Sequence, residues 1–196
     1  NTRMLEDYLT LLIDQTGCSF SISRTGKKLR DIGYSFSKTT LSNFLRYAQD
    51  AFLVFAVNRY CFKVTEQMRA PKKMYAIDHG LVQAVRFAFQ ENAGRMLENI
   101  AFIELQRRDK QVYYHKLDRE CDFLTVDGEK VTGAVQISLT MSGEKTRKRE
   151  VSGLAEAMRR HGLRQGIILT EDEQEEIRID EGIVSVLPLW YWLLNE

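Results

Sequence analysis

The sequence is poor in cysteine, proline and histidine, and it has no excess of either charge. Its 196 residues include 3 Cys, 2 Pro and 3 His, and 28 Lys and Arg residues balance 27 Asp and Glu residues. The odd, widely spaced cysteines (Cys18, Cys61 and Cys121) argue against a disulfide framework or a paired-cysteine metal knuckle, and they favour a reducing cytoplasm. The near-neutral total excludes a chain that is basic along its whole length or that ends in an acidic tail.

Long apolar runs are also missing. No stretch reaches 18 uncharged apolar residues, so we expect no membrane-spanning segment. The mean hydropathy of -0.32 is typical of a globular chain. The N-terminus has no basic and then apolar signal segment. Because Asn1 stands in place of an initiator methionine and a helical pattern begins almost at once, we expect a fragment of a longer protein.

The first seventy residues have the pattern of three helices followed by two short strands. Apolar residues recur at helical spacing from Leu5 to Ile13, and a second helix is predicted from about Ile22 to Ile32. A hydroxyl-rich start at Ser35–Thr40 predicts a third helix. The apolar runs Leu53–Val57 and Tyr60–Val64 favour a β-ribbon. This order predicts a winged helix-turn-helix domain over residues 1–70.

The positive charge in this part of the chain is typical of a surface that binds the phosphate groups of a nucleic acid. Between Ser21 and Lys73 the sequence has eleven basic and three acidic residues, a local excess of +8 in a chain that totals +1. DNA is therefore a possible partner, and the alternative is a basic surface that docks on a neighbouring domain. The residues expected to contact DNA lie on the third helix and in the ribbon: Lys38, Thr39, Thr40, Ser42, Asn43, Arg46 and Arg59.

Residues 71–196 change to an alternation of helices and strands. Asp127-Gly128 between two apolar runs is a strong hairpin signal. The acidic run Glu171–Glu176 is predicted to be a solvated loop. The order α-β-β-β-α-β-(β)-α indicates an α/β (α+β) domain with a mixed sheet flanked by helices. The predicted elements are helices at 81–89, 93–108 and 146–161, a short strand ending in a turn at 74–80, strands at 112–115, 121–126, 131–139, 166–170 and 183–187, and a closing helix at 189–194.

Common catalytic motifs are absent from the sequence. Gly143-Glu144-Lys145-Thr146 resembles the end of a phosphate loop, but its lysine does not follow the glycine directly. This chain therefore carries no ATP-binding loop of its own. It has neither a GxSxG elbow nor an HExxH motif, and His79, His115 and His161 are predicted to be surface or packing residues.

The remaining candidates are acidic and polar residues. Glu98 lies on the long helix, and Glu120 and Asp122 share one face of a strand because side chains alternate along a strand. Gln136 and Ser138 form a similar polar pair on the next, otherwise apolar, strand. These residues indicate a polar pocket at one face of the sheet, or polar groups that find partners in the core.

This arrangement resembles the PD-(D/E)XK nuclease core. From about Leu5 onward, the chain resembles the region after the nucleotide-binding module in a family of prokaryotic predicted AAA-type ATPases. In that family a winged helix precedes a restriction-endonuclease-like domain of unknown function. The matching stretches are Thr39–Leu45, Lys73–Leu81, Leu97–Asn99 with Glu104-Leu105, Glu120–Phe123, Val135–Ile137, and Thr146 with Arg149-Glu150.

The resemblance assigns roles to four residues. Glu98 matches the helix acid, Asp122 the strand acid, Gln136 the glutamate of the E-x-K motif and Ser138 its lysine. In an active member the acids hold a divalent metal, so Glu98 and Asp122 are the metal ligands if a cation such as Mg²⁺ is retained. Gln136 removes a negative charge from that site, and Ser138 cannot assist ionisation of water. We therefore expect a catalytically degenerate site.

The resemblance also implies partners and alternatives. ATP would belong to an N-terminal module outside this chain, and this fragment would need no cofactor. One alternative is an active Mg²⁺-dependent nuclease whose catalytic base has moved to Lys145, Arg147, Lys148 or Arg149. The other is a module of an ATPase that binds a protein partner or self-associates.

Overall fold

The computed structural model describes residues 2–85 and 93–195. The N-terminal part, from residue 2 to residue 85, consists of α1 (Thr2–Asp14), β1 (Cys18–Phe20), α2 (Ile22–Asp31), α3 (Lys38–Asp50), β2 (Val54–Val57), α4 (Val64–Arg69), β3 (Lys72–Ala76) and α5 (His79–Val85). The C-terminal part, from residue 93 to residue 195, consists of α6 (Ala93–Arg107), β4 (Gln111–Lys116), β5 (Glu120–Asp127), β6 (Lys130–Ile137), α7 (Glu144–His161), β7 (Gln165–Thr170), β8 (Glu175–Ile179), β9 (Gly182–Pro188) and α8 (Leu189–Leu194).

The N-terminal part contains the three predicted helices and a three-stranded sheet, which we call the winged-helix sheet. α2 and α3 begin at serine caps, since Ser21 accepts a hydrogen bond from the Arg24 N–H and Ser37 accepts one from the Thr40 N–H. The apolar faces of the first three helices bury a common core that includes Leu12, Leu29 and Leu41. β3 lies between β1 and β2 and pairs antiparallel with both.

The predicted ribbon is wrong in its second strand. β2 pairs with β3, whereas Tyr60–Val64 forms no strand and runs into α4. The backbone of this segment bonds to the other sheet: the Tyr60 N–H donates to the Tyr114 carbonyl, and the Tyr114 N–H donates to the Asn58 carbonyl. The segment between β2 and β3 therefore packs on β4. The domain boundary predicted after residue 70 stays a prediction, and β3 beyond it completes the first sheet.

The C-terminal part confirms the predicted mixed sheet flanked by helices. Its six strands have the order β4-β5-β6-β7-β9-β8, in which β6, β7 and β9 are parallel neighbours and the other pairs are antiparallel. The β5–β6 hairpin turns at Gly128, whose φ of 58° favours glycine. The acidic run predicted as a loop ends in an edge strand, β8, whose charged residues suit an exposed edge.

Helices cover both faces of the second sheet. α6 and α8 pack on one face, where Phe102 and Trp192 share a core with Phe123. α7 packs on the other face, where Leu154 and Met158 share a core with Leu124. The register pairs Phe123 with Val135, so Asp122 and Gln136 lie side by side at one end of the β5–β6 pair.

Two further predictions concern the helices. The helix predicted at Leu81–Phe89 corresponds to α5, which is described up to Val85, and residues 86–92 lie outside the described residues. Among the helices of the described ranges, none combines the length and the apolar character needed to cross a bilayer.

Candidate functional site

The acidic residues singled out in the sequence meet around one lysine. Glu98 comes from α6, Glu120 and Asp122 come from β5, and Lys73 comes from β3 of the winged-helix sheet. The Lys73 Nζ lies 3.0 Å from Glu98 Oε1, 2.7 Å from Glu120 Oε1 and 2.8 Å from Asp122 Oδ1. The Tyr75 hydroxyl donates to Glu98 at 2.6 Å. We call Lys73, Glu98, Glu120 and Asp122 the acidic cluster.

Burial makes the charges of this cluster strongly interdependent. Only 5% of Lys73, 8% of Glu98 and 7% of Asp122 are exposed. Burial and the nearby Asp122 carboxylate together raise the pKa of Glu98 to about 7, against the opposing effect of Lys73. Burial alone would lower the pKa of Lys73, but the neighbouring Asp122, Tyr75 and Glu98 raise it well above its ordinary value. Lys73 is therefore a charged ammonium at neutral pH.

Gln136 is occupied at both ends of its amide. Its Oε1 accepts the Asp122 N–H at 3.2 Å, and its Nε2 donates to Glu150 Oε2 at 2.6 Å. Ser138 donates its hydroxyl hydrogen to the Thr140 carbonyl at 2.8 Å. Both residues are buried, so the polar pair predicted on this strand finds partners inside the protein.

The residues that the resemblance assigns to a divalent cation do not fit one in this arrangement. Mg²⁺ requires oxygen ligands at about 2.0–2.1 Å, but the ammonium of Lys73 already lies within 3.0 Å of both Glu98 and Asp122. The second oxygen of Asp122 accepts the Ile137 N–H at 3.0 Å. Within residues 2–85 and 93–195, no three His, Cys, Asp or Glu side chains are arranged to hold a metal ion.

A cavity of about 720 Å³ opens beside the acidic cluster. The structure brings five of the residues named from the sequence together in its wall: Glu98, Glu120, Asp122, Gln136 and Ser138. The cavity also has a basic margin formed by Arg95, Lys116, Arg119 and Arg149. Lys116 contacts the outer oxygen of Glu120 at 2.9 Å.

The proposed displaced bases do not reach the acidic cluster. Arg147 forms a bidentate ion pair with Glu175 on β8, and Arg149 donates a hydrogen bond to Glu150. Lys145 and Lys148 are exposed at the start of α7. The only cation within 3.0 Å of Glu98 or Asp122 in the described part of the chain is Lys73.

The residues predicted to contact DNA fall into three groups. Lys38, Thr39 and Arg46 are exposed on α3. Thr40 and Ser42 bond within the helix, to Ser37 and to the Lys38 carbonyl, and Asn43 is half-buried. Arg59 lies apart in the segment that packs on β4, where its Nε donates to the Cys61 sulfur at 3.2 Å.

Sequence reasoning missed Lys73, Tyr75 and Glu150. The signal for the first two was present, because Lys73 and Tyr75 occupy alternate positions of a strand and so share a face, as Glu120 and Asp122 do. Glu150 carried no such signal, since it is one charge among many at the start of α7. Its role as the partner of Gln136 depends on the packing of α7 over β6.

The chain is similar to one domain family and to two proteins whose descriptions state no activity. Residues 1–93 match the model of a domain of unknown function (DUF8612). The chain is 27% identical over its whole length to an uncharacterized protein of Methanocaldococcus jannaschii, of which it covers 45%. It is 28% identical over 67% of its length to an uncharacterized protein of Haemophilus influenzae, of which it covers 33%.

These relatives leave the function open. The chain spans less than half of the length of either relative. Their descriptions name neither an ATPase nor a nuclease, so the resemblance to AAA-type ATPases and PD-(D/E)XK nucleases belongs with the proposals below. No solved structure matches the chain significantly.

Proposed function

We propose that this chain is the DNA-binding part of a longer AAA-type ATPase-like protein, and that its PD-(D/E)XK-like domain does not cleave DNA. ATP binding would belong to a module outside the chain. The absence of DNA cleavage is supported by the hydrogen bonds of Gln136, whose amide is held between the Asp122 backbone and Glu150. With Ser138 bonded to Thr140, neither residue of the E-x-K position is available to activate a water molecule.

DNA binding is supported by the charge of the winged-helix surface. Eight of the eleven basic residues between Ser21 and Lys73 are exposed, and six of these lie on α2 and α3. Lys38 and Arg46 stand on the exposed side of α3, and no carboxylate within 4 Å pairs with either among the described residues. Unpaired surface cations of this kind attract the phosphate backbone of a duplex. The free cysteines fit the proposed cytoplasmic location.

The test of DNA binding is a salt series with a charge-matched control. We expect the protein to bind a 30-base-pair duplex of mixed sequence in a gel shift, more weakly at 200 mM than at 50 mM KCl. The double variant Lys38→Ala/Arg46→Ala should weaken binding about tenfold or more and reduce the salt slope by about 2, one for each lost phosphate contact. The control Lys110→Ala/Lys130→Ala removes two exposed cations of the C-terminal part.

Two results of this experiment would contradict the proposal in different ways. Equal losses in the two double variants would mean that net charge, and not α3, determines binding. Affinity that does not change with salt would contradict phosphate contact altogether.

A Mg²⁺-dependent nuclease is the second candidate, as the alternative that the sequence left open. Because the Lys73 ammonium lies 2.8 Å from Asp122, a metal could bind there only if Lys73 moved away. Incubation of plasmid DNA with MgCl₂ or MnCl₂ distinguishes the two proposals. We expect intact plasmid; cleavage that Asp122→Ala and Lys73→Met both abolish would favour the nuclease.

A further inference from the structure

Lys73 links the two sheets of the molecule through a buried charge. It lies on β3, the central strand of the winged-helix sheet, yet its ammonium is buried among carboxylates from α6 and β5 of the other part. A buried ammonium is costly unless carboxylates surround it, and three do so here within 3.0 Å.

Each carboxyl group of the acidic cluster has a cationic partner without a metal. Lys73 contacts Glu98, Glu120 and Asp122, and Lys116 also contacts Glu120. The Tyr75 hydroxyl and the Ile137 N–H add hydrogen bonds to Glu98 and Asp122. A divalent ion added to this arrangement would meet the Lys73 ammonium at the two oxygens that it needs.

We propose that Lys73 is the built-in cation of the acidic cluster, which excludes a divalent metal and fastens the winged-helix sheet to the C-terminal sheet. The lysine and a metal ion are alternatives at the same carboxylates. Without the ammonium, the carboxylates would bind a divalent ion in its place. This inference depends on the geometry of the cluster and not on DNA binding, so the two can fail separately.

The test uses Mn²⁺ as the probe and a neighbouring lysine as the control. Lys73→Met removes the charge and keeps the length of the side chain, and Lys72→Met makes the same change at the preceding residue of β3, which points to the opposite face. Free Mn²⁺ is measured by electron paramagnetic resonance, and the melting temperature is measured with EDTA and with 1 mM MnCl₂.

We expect the wild-type protein and Lys72→Met to bind no Mn²⁺ at this concentration and to melt at the same temperature with and without it. Lys73→Met should bind Mn²⁺ at least ten times more tightly, and Mn²⁺ should raise its melting temperature. Folding of this variant only when Mn²⁺ is present would support the proposal equally. Wild-type binding as tight as that of the variant, or a folded variant that binds none, would overturn it.

A measurement on the wild-type protein decides the case if Lys73→Met does not fold under either condition. The ammonium groups of ¹⁵N-lysine protein are observed by nuclear magnetic resonance during titration with MnCl₂. We expect a slowly exchanging Lys73 signal that Mn²⁺ broadens no more than the signal of Lys72. Selective broadening of the Lys73 signal would place Mn²⁺ in the acidic cluster and refute the proposal.

Discussion

At the scale of single residues, Gln136 makes two hydrogen bonds of which a glutamate could keep only one. Its carbonyl oxygen accepts from the Asp122 N–H, and its amide nitrogen donates to Glu150 at 2.6 Å. Gln136→Glu, which restores the residue of the nuclease motif, would place two buried carboxylates against each other. We expect a loss of about 3 kcal/mol in the free energy of unfolding at pH 7, measured by urea denaturation.

The loss caused by Gln136→Glu should depend on pH and on Glu150. Two adjacent carboxylates raise each other's pKa, so the folded variant takes up a proton more readily than the unfolded chain, and its stability should recover as the pH falls from 7 to 5. The double variant Gln136→Glu/Glu150→Gln replaces the lost donor and should regain most of the stability at pH 7. A double variant as unstable as the single one would show that Glu150 is not the cause.

Residues close in sequence were predictable, and residues brought together by tertiary packing were not. The alternation of side chains placed Glu120 with Asp122, and the hairpin at Asp127-Gly128 placed Asp122 beside Gln136. Lys73 and Asp122 are 49 residues apart and belong to different sheets. Such a contact follows from how the two parts dock, which no local pattern specifies.

At the scale of elements, α7 approaches β5 so closely that only glycine fits at their contact. A Cβ atom on Gly153 would lie 2.3 Å from the Glu120 carbonyl oxygen. Gly153→Ala should therefore push the helix away from the strand that carries Glu120 and Asp122, and reduce the free energy of unfolding by about 1–3 kcal/mol. Urea denaturation measures this loss.

Gly94→Ala is the matched control for this helix contact. Gly94 also lies in a helix, α6, and a Cβ atom there would meet nothing within 4 Å. This substitution should change stability by at most about 1 kcal/mol, in the stabilising direction. Equal effects of the two substitutions would contradict the close approach of α7 to β5.

Element prediction succeeded where local periodicity and capping agreed. α1, α2 and α3, the β5–β6 hairpin and α7 lie close to their predicted bounds, and Gly162 ends α7 in the left-handed conformation as expected for a C-terminal glycine. Tyr60–Val64 failed because its aromatic and β-branched residues satisfy strand propensity without a strand partner. Tyr60 instead packs on Tyr113 and His161.

At the scale of the whole molecule, the two sheets share one apolar core in addition to the Lys73 contacts. Tyr75 of β3 stacks on Phe102 of α6 with ring centroids 4.4 Å apart, and it also contacts Phe123 of β5. Val57 of β2 belongs to the same core. The sequence predicted two domains in series, and it contained no pattern for this shared core because its buried members, among the described residues, lie on eight different elements.

This shared core predicts a single unfolding transition. Both tryptophans, Trp190 and Trp192, lie on α8, so tryptophan fluorescence reports on the C-terminal part, whereas far-ultraviolet circular dichroism also follows the helices α1–α3. Because Tyr75 and Lys73 hold the two parts together, we expect the two signals to give the same urea midpoint.

Tyr75→Ala tests this prediction because it removes the stacked ring, and the two midpoints should then separate. The control is Tyr47→Ala, at an exposed tyrosine of α3, which should leave the two midpoints coincident. Separate midpoints in the wild-type protein would mean that the winged helix and the C-terminal sheet unfold independently, and that their shared core contributes little to stability.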